Sequence, residues 1–568
     1  MQALRPTVRP LSAPTPNACG SARMARSALA TLAAMVLAGC AAVPAGELPA
    51  SVAAVHAATG VPLSSLAVVA YPLDTAVNGA LNPSLNSVQS LVPTPPARGL
   101  RLNGDRPMQG ASTMKLLTAA AALDRLGPNS RGRTELLVEG DPSAAPTPPA
   151  PDGHLRTPLY LKGGADADLD WSALWLMLRE LRERQGVFAL DGGVVVDRTM
   201  FRPARPELGA PAFDEQPEFP YNVIPDALNL NGSLLSFDLA TDGQSRPLQP
   251  AAPPAPPAPP APPAPPAPPA PNGQGIQGVQ GVQVRPFPMF GGLDIDAAQL
   301  GLVDVPCKDW DDHWQLPEFQ PQRGAQPPAT GARLVLRGSF PRDCQVRQSL
   351  NVVDRQWLTA QAIRQLWTSL GGTLSGDIRE GQAPALTRVL VRHQDRPLAE
   401  LLRPVLKASD NATTRLIFQR LGAAVAQPGE DTLPAAQRAV KDWLRTVGVD
   451  PSDVVLENGA GLSRIERISA AKMARMLAAV QQGPHGPELL ATLPVAGVDG
   501  TLARRFKGTP AEGRARMKTG TLRDVVALAG YVPDASGRLW VVVAVVNDER
   551  AAAARPTLDA LVSWVAAQ

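Results

Sequence analysis

Histidine is scarce in this chain of 568 residues. There are five (His56, His154, His313, His393 and His485), and none forms a His-x-x-x-His pair. Cysteine numbers four, and no Cys-x-x-Cys occurs. These absences argue against a zinc or haem centre, and no cofactor is expected. Charge of one sign is missing too: 54 Lys+Arg against 51 Asp+Glu leave +3, so no global basic field draws nucleic acid. Aromatics are 4 % of the chain, and lysine occurs only eight times. Proline is the exception at 61, and the 44 % hydrophobic content can bury a sizeable core. The length exceeds what one core holds and predicts two or three domains.

Arg23 and Arg26 precede an apolar run over residues 28–37, too short to span a membrane as a mature helix. The run ends in Leu37-Ala38-Gly39-Cys40, which resembles a bacterial lipobox and predicts a lipidated Cys40 after removal of residues 1–39. Met24 is a second candidate start. The competing reading is an ordinary secretory cleavage near Ala42. Ala41 is not the Asp that signals inner-membrane retention in similar lipoproteins, which favours a periplasmic protein held at the outer membrane. Export leaves Cys307 and Cys344 as the soluble pair, and in an oxidising compartment they are expected to bond.

Two proline tracts punctuate the chain, at 146–151 and, as a Pro-Pro-Ala repeat, within about 251–273. The long one predicts a polyproline II loop with no core of its own. Apolar runs at 525–532 and 539–546 flank Pro533-Asp534-Ala535-Ser536-Gly537 and read as a hairpin. Pro556 opens a helix with Leu558, Leu561, Val562 and Val565 on one face. Residues 66–71 read as a strand and 116–126 as a buried helix. Further strands are expected at 158–162, 193–197 and 332–337, with helices at 171–184 and 354–370.

Three short motifs carry chemistry. In Ser112-Thr113-Met114-Lys115 the i, i+3 spacing brings the amine to the hydroxyl, and a buried lysine can lose its proton and serve as base. Alone, a serine at such a place is usually just a helix cap. Ser409-Asp410-Asn411 offers a proton relay and an amide-binding group, or simply a turn before a helix at 412–421. Lys518-Thr519-Gly520-Thr521 offers a cation and a hydroxyl to a carboxylate, or an exposed strand end. Three of eight lysines fall at or beside these motifs, and the order of the three makes accident a poor account.

That ordered set is a signature of penicillin-binding proteins and class A β-lactamases. With the wording at 107–126, 159–169, 193–201, 407–411, 461–464, 495–502 and 518–532, the chain resembles one family in particular. This is the class C low-molecular-mass penicillin-binding proteins, the D-alanyl-D-alanine carboxypeptidase/endopeptidases. The resemblance runs from about Leu48 to the end, the proline tracts excepted. It implies an α+β fold of the penicillin-binding, transpeptidase-like type, an antiparallel sheet flanked by helices. The catalytic domain would be split between 48–128 and 384–568, with accessory domains inserted at 129–383. Ser112 and Ser409 stand 297 residues apart, an insertion that argues against a β-lactamase.

The resemblance further implies roles. Ser112 would be the nucleophile and Lys115 its base, and Ser409, Asn411 and Lys518 would complete the catalytic set. Asp410, Thr519, Gly520 and Thr521 would line the substrate, with the Ser112 and Thr521 amides as oxyanion donors. Asp214 would match an acidic residue that meets a substrate amine. The substrate would be peptidoglycan, and β-lactams would acylate Ser112. One departure stands out: Asn458-Gly459-Ala460-Gly461 replaces the family's Asp-Gly-Ser-Gly, leaving that loop's polar role open. A transpeptidase and a non-catalytic wall-binding scaffold are the alternatives.

Overall fold

The two apolar runs near the C-terminus form an antiparallel hairpin, Val525–Pro533 with Leu539–Asn547. In this computed structural model, which describes residues 47–73, 99–143, 150, 152–241, 281–323 and 330–568, the hairpin is the centre of a five-stranded sheet. Its order is Arg516–Leu522, Val525–Pro533, Leu539–Asn547, Leu66–Pro72 and Leu100–Leu102, antiparallel throughout. Side chains alternate between sheet faces, so a strand covered on one side should alternate apolar and polar. Here both sets are buried. Ala527, Ala529 and Tyr531 enter one core, where the Tyr531 hydroxyl donates to the Leu477 carbonyl of helix Ala470–Gln482. Val526, Leu528 and Val532 are equally buried, and helix Arg555–Ala566 packs on this strand. Cover on both sides is why these strands read as unbroken apolar runs.

Helix Lys115–Arg125 runs through the same core with every residue from Lys115 to Leu123 buried. A tight 3-10 turn, Ala111–Met114, leads into it. This core draws its residues from two stretches of sequence, Ala67 to Leu123 and Leu398 to Val545.

A second core is built from residues between Leu136 and Val391. Its main sheet has the order Ile378–Glu380, Val194–Asp197, Leu159–Gly164, Arg133–Glu139 and Thr387–Gln394. Helices Trp171–Glu183 and Arg355–Ser369 start at Asp170 and Asp354, whose carboxylates accept from the Ala173 and Trp357 amides at 2.7 and 2.9 Å. Three three-stranded sheets continue the insertion, and Cys307 is bonded to Cys344 within it. The few aromatics concentrate here: Trp171 meets Phe290, and Trp310 packs between Trp314 and Phe340.

The expected re-entry into the catalytic part at residue 384 comes too early. Thr387–Gln394 pairs with Arg133–Glu139 and so belongs to the inserted sheet, and the chain rejoins the first core at Leu398. Cys40 and the long proline tract lie outside the described residues. Among the described residues no helix is long and apolar enough to cross a membrane.

Candidate active site

Lys115 opens its helix at the base of the core, and its side chain is fully buried. The ammonium donates to Ser112 Oγ at 3.0 Å, to Asn411 Oδ1 at 2.5 Å and to the Ala460 carbonyl. Burial pushes its pKa down to about 7; Glu466 and Asp410 oppose this, and Arg415 adds to it. Ser112 makes no capping bond, so the N-cap reading fails. It sits partly exposed in the 3-10 turn, behind Ala111, a non-glycine residue at φ 46°. Positive φ at such a residue costs about 1–3 kcal/mol and is held by its surroundings. Those surroundings are two glycines. A Cβ on Gly461 would lie 1.9 Å from the Ala111 carbonyl oxygen, and one on Gly520 would lie 2.5 Å from that of Gly110.

Ser409-Asp410-Asn411 forms the joint between helices Leu398–Ala408 and Asn411–Ala423. Ser409 takes the left-handed conformation, φ 64°, that ends the first helix. Asp410 caps the second, accepting from the Thr413 amide at 3.1 Å and its hydroxyl at 2.6 Å. Its carboxylate thus serves the cap of this helix. Asn411 is left facing Lys115, and its amide nitrogen donates to the Tyr221 carbonyl at 3.0 Å.

Lys518 donates to Ser409 Oγ at 2.8 Å and to the Thr519 carbonyl at 2.9 Å. It is fully buried, and burial with the nearby Lys115 holds its pKa well below the usual lysine value. Contact with a substrate carboxylate is expected of it together with Thr519, and the exposed hydroxyls beside it are those of the threonines. Thr519 donates to Thr501 at 2.8 Å, and Thr521 lies exposed two residues further along the strand. Thr501 was not anticipated. Its loop is pinned by an ion pair between Asp499 and Lys407.

Glu466 is the other residue missed. Its buried carboxylate accepts from the backbone amides of Glu457, Asn458, Gly459 and Gly461 at 2.7–2.8 Å. It thereby shapes the loop whose Ala460 carbonyl faces Lys115. Asn458 keeps a polar role after all, accepting from the Ala460 amide at 2.9 Å and donating to Leu462. No sequence signal marks Glu466, because its partners are backbone groups that any residues would supply.

The insertion reaches this site. Arg415 donates to the Asn222 and Val223 carbonyls at 2.8 and 2.9 Å, and the Arg464 guanidinium lies 4.6 Å over the Phe213 ring. Asp214 accepts from the Tyr221 hydroxyl at 2.9 Å and from Asn222 Nδ2 at 2.7 Å, one residue removed from Asn411. Among the described residues no group of three or more His, Cys, Asp or Glu side chains is placed to hold a metal ion.

A serine, two buried lysines and an asparagine converge here, from segments that match a known family. Residues 100–258 and 320–568 match the D-Ala-D-Ala carboxypeptidase 3 (S13) family. The chain belongs to that family, and with it is a serine-type peptidase, a hydrolase. A D-alanyl-D-alanine carboxypeptidase from an Actinomadura species is 35 % identical over 215 residues, 36 % of this chain and 40 % of that relative. The D-alanyl-D-alanine carboxypeptidase DacB of Haemophilus influenzae is 25 % identical over 78 % of this chain and 81 % of its own length. The crystal structure of penicillin binding protein 4 from that organism superposes with a TM-score of 0.60 at 21 % identity, covering 88 % of this chain and 94 % of that one. It shares the penicillin-binding fold: an α+β architecture whose antiparallel sheet is flanked by helices, with extra domains. Another structure of it holds a β-lactam.

Proposed function

We propose that this carboxypeptidase removes the terminal D-Ala from peptidoglycan stem peptides, and opens D-Ala cross-links, through an acyl-enzyme on Ser112. The observation that carries the reading is a wholly buried Lys115 amine 3.0 Å from a partly exposed Ser112 hydroxyl. An amine with a pKa near 7 is half neutral at neutral pH and can take the hydroxyl proton. Ser112 Oγ then attacks the penultimate D-Ala carbonyl. The C–N bond breaks as the leaving nitrogen takes the proton that Lys115 removed from Ser112, relayed by way of Ser409, which leaves Lys115 neutral again. Water then attacks the ester and frees Ser112. Asn411 holds both Lys115 and a substrate amide, while Thr519, Thr501 and Thr521 receive the terminal carboxylate. Gly520 lets the strand close on the turn, and the Ser112 and Thr521 amides receive the oxyanion, each such donor being worth about 10²–10³ in rate. Asp214, held by Tyr221 and Asn222, would meet the free amine of a diamino acid in the stem.

β-Lactams would acylate the same hydroxyl. Incubation with a fluorescent penicillin should add one drug mass to the protein, at Ser112. Ser112→Ala should keep its fold and lose both the adduct and D-Ala release; an adduct formed at the unaltered rate would overturn the assignment. We propose, too, that the chain is exported to the periplasm and lipid-anchored through Cys40, facing its wall substrate. Acyl chains contribute about 0.8 kcal/mol per buried CH₂, so two or more anchor stably. Intact-mass analysis of membrane fractions should find a lipidated Cys40, and a mature N-terminus beyond it would refute the anchor.

A further inference from the structure

A cleft of ≈ 530 Å³ lies where the first core meets the insertion, away from the catalytic groups. The nucleophile's helix, Lys115–Arg125, ends at it, and so does helix Asn411–Ala423, whereas the catalytic residues sit at the starts of both. At 1.5 Å per residue this separates the cleft from Lys115 by about 16 Å. Arg131, Arg133, Lys162 and Arg420 line it, against the single carboxylate of Glu135.

These cations are poorly compensated. Lys162 makes no side-chain hydrogen bond or ion pair with any described residue. Glu135 accepts from Arg392 at 2.7 Å, so Arg133, 3.7 Å away, has only a loose share of it. Arg420 is 5 % exposed, donates through Nη2 to Ser130 at 2.9 Å, and has no acceptor for Nη1. The nearest carboxylate, Asp395, is 3.6 Å off and already takes the Gly132 and Ala167 amides. A buried guanidinium with an orphaned nitrogen, beside a free ammonium, is an incomplete set that an anion completes.

We propose that this cleft is a second binding site, for a carboxylate-rich peptide. Its volume is that of a site for a small ligand. Arginine forks match planar carboxylates two-for-two, and the cations are spread over three chain segments, so separated carboxylates fit better than one dense charge. Glu135 would repel a compact polyphosphate and can accept a peptide amine. The proposal rests on none of the roles given to Ser112 or Lys115.

Titration calorimetry with the whole protein and triglutamate tests it. Saturable binding is expected, weakening as NaCl rises from about 50 to about 300 mM. Lys162→Ala and Arg133→Ala, both on strands at accessible positions, should each weaken it about tenfold, while penicillin acylation proceeds at the unaltered rate. No saturable binding, or binding indifferent to both substitutions, would overturn the site. Triglutamine binding as tightly as triglutamate would overturn the charge argument. Tighter binding of tripolyphosphate would overturn the choice of a carboxylate ligand.

Discussion

Lys115 shows how much of the site's chemistry lies in burial. A free lysine holds its proton to pH 10.5; here burial lowers that to about 7. Acylation by penicillin should therefore rise through about pH 7 as the amine becomes neutral, and stopped-flow or quench measurements across pH 5–9 check this. Stability carries the same signature. Between pH 7 and 10.5 the unfolded chain binds a proton that the folded chain has released, so stability rises with pH in that window. Below 7 both states are protonated and the buried ammonium costs most. Lys115→Met keeps the volume and removes the charge, at the loss of three hydrogen bonds. Relative to wild type, its denaturant midpoint should be highest below pH 7 and decline steadily towards pH 10.5. A difference that does not vary with pH would mean the ammonium is not desolvated. The lysine spacing was legible in the sequence because i, i+3 is a local rule. The shared hydrogen bond to Asn411, 296 residues on, was not.

At the scale of elements, each motif reads as a joint between two pieces. Ser112 lies in a 3-10 turn before a helix, Ser409 between two helices, and Lys518 on an edge strand beside that turn. Turn residues and apolar runs reveal such joints, which is why the hairpin and the Pro556 helix were readable within a residue or two. The loop at 457–461 was not readable, since its shape depends on one distant carboxylate. Glu466→Gln keeps the size but removes the charge and half the acceptor capacity for four amides. Hydrogen bonds to charged groups are worth about 1.5–3 kcal/mol each, so a loss of about 3 kcal/mol is expected in chemical denaturation. The variant should also shift the acid limb of penicillin acylation to lower pH, because Glu466 holds the Lys115 pKa up. A merely structural role would lower stability and leave that limb in place.

For the whole molecule, the two cores divide the labour. One takes chain from both sides of the insertion and carries the groups we propose to be catalytic; the other is the insertion itself. The chain rejoins the first core about fourteen residues later than expected, because Thr387–Gln394 is an ordinary strand whose partner is some 250 positions earlier. Only pairing reveals its allegiance. The sheets of the insertion, with bulges between Asp296 and Gln299 and between Gln315 and Glu318, lack the clean alternation that would have announced them. Their staple was nonetheless legible, since the expected export and processing at Cys40 would leave just two cysteines in the soluble part. The Cys307–Cys344 bond spans 37 residues, and closing such a loop is worth about 4 kcal/mol in the chain-entropy model. Both cysteines pack with the second core, whereas the groups that contact Lys115 belong to the first. Replacing both by serine should therefore lower the melting temperature of the insertion while penicillin labelling at about 10 °C proceeds at the unaltered rate. The contacts of Tyr221 and Val223 with Asn411 and Arg415 set the limit of that independence. As temperature rises, labelling should fail at the insertion's unfolding transition, ahead of loss of the main sheet by circular dichroism. If labelling instead outlasts that transition, the insertion contributes nothing to holding Asn411 against Lys115.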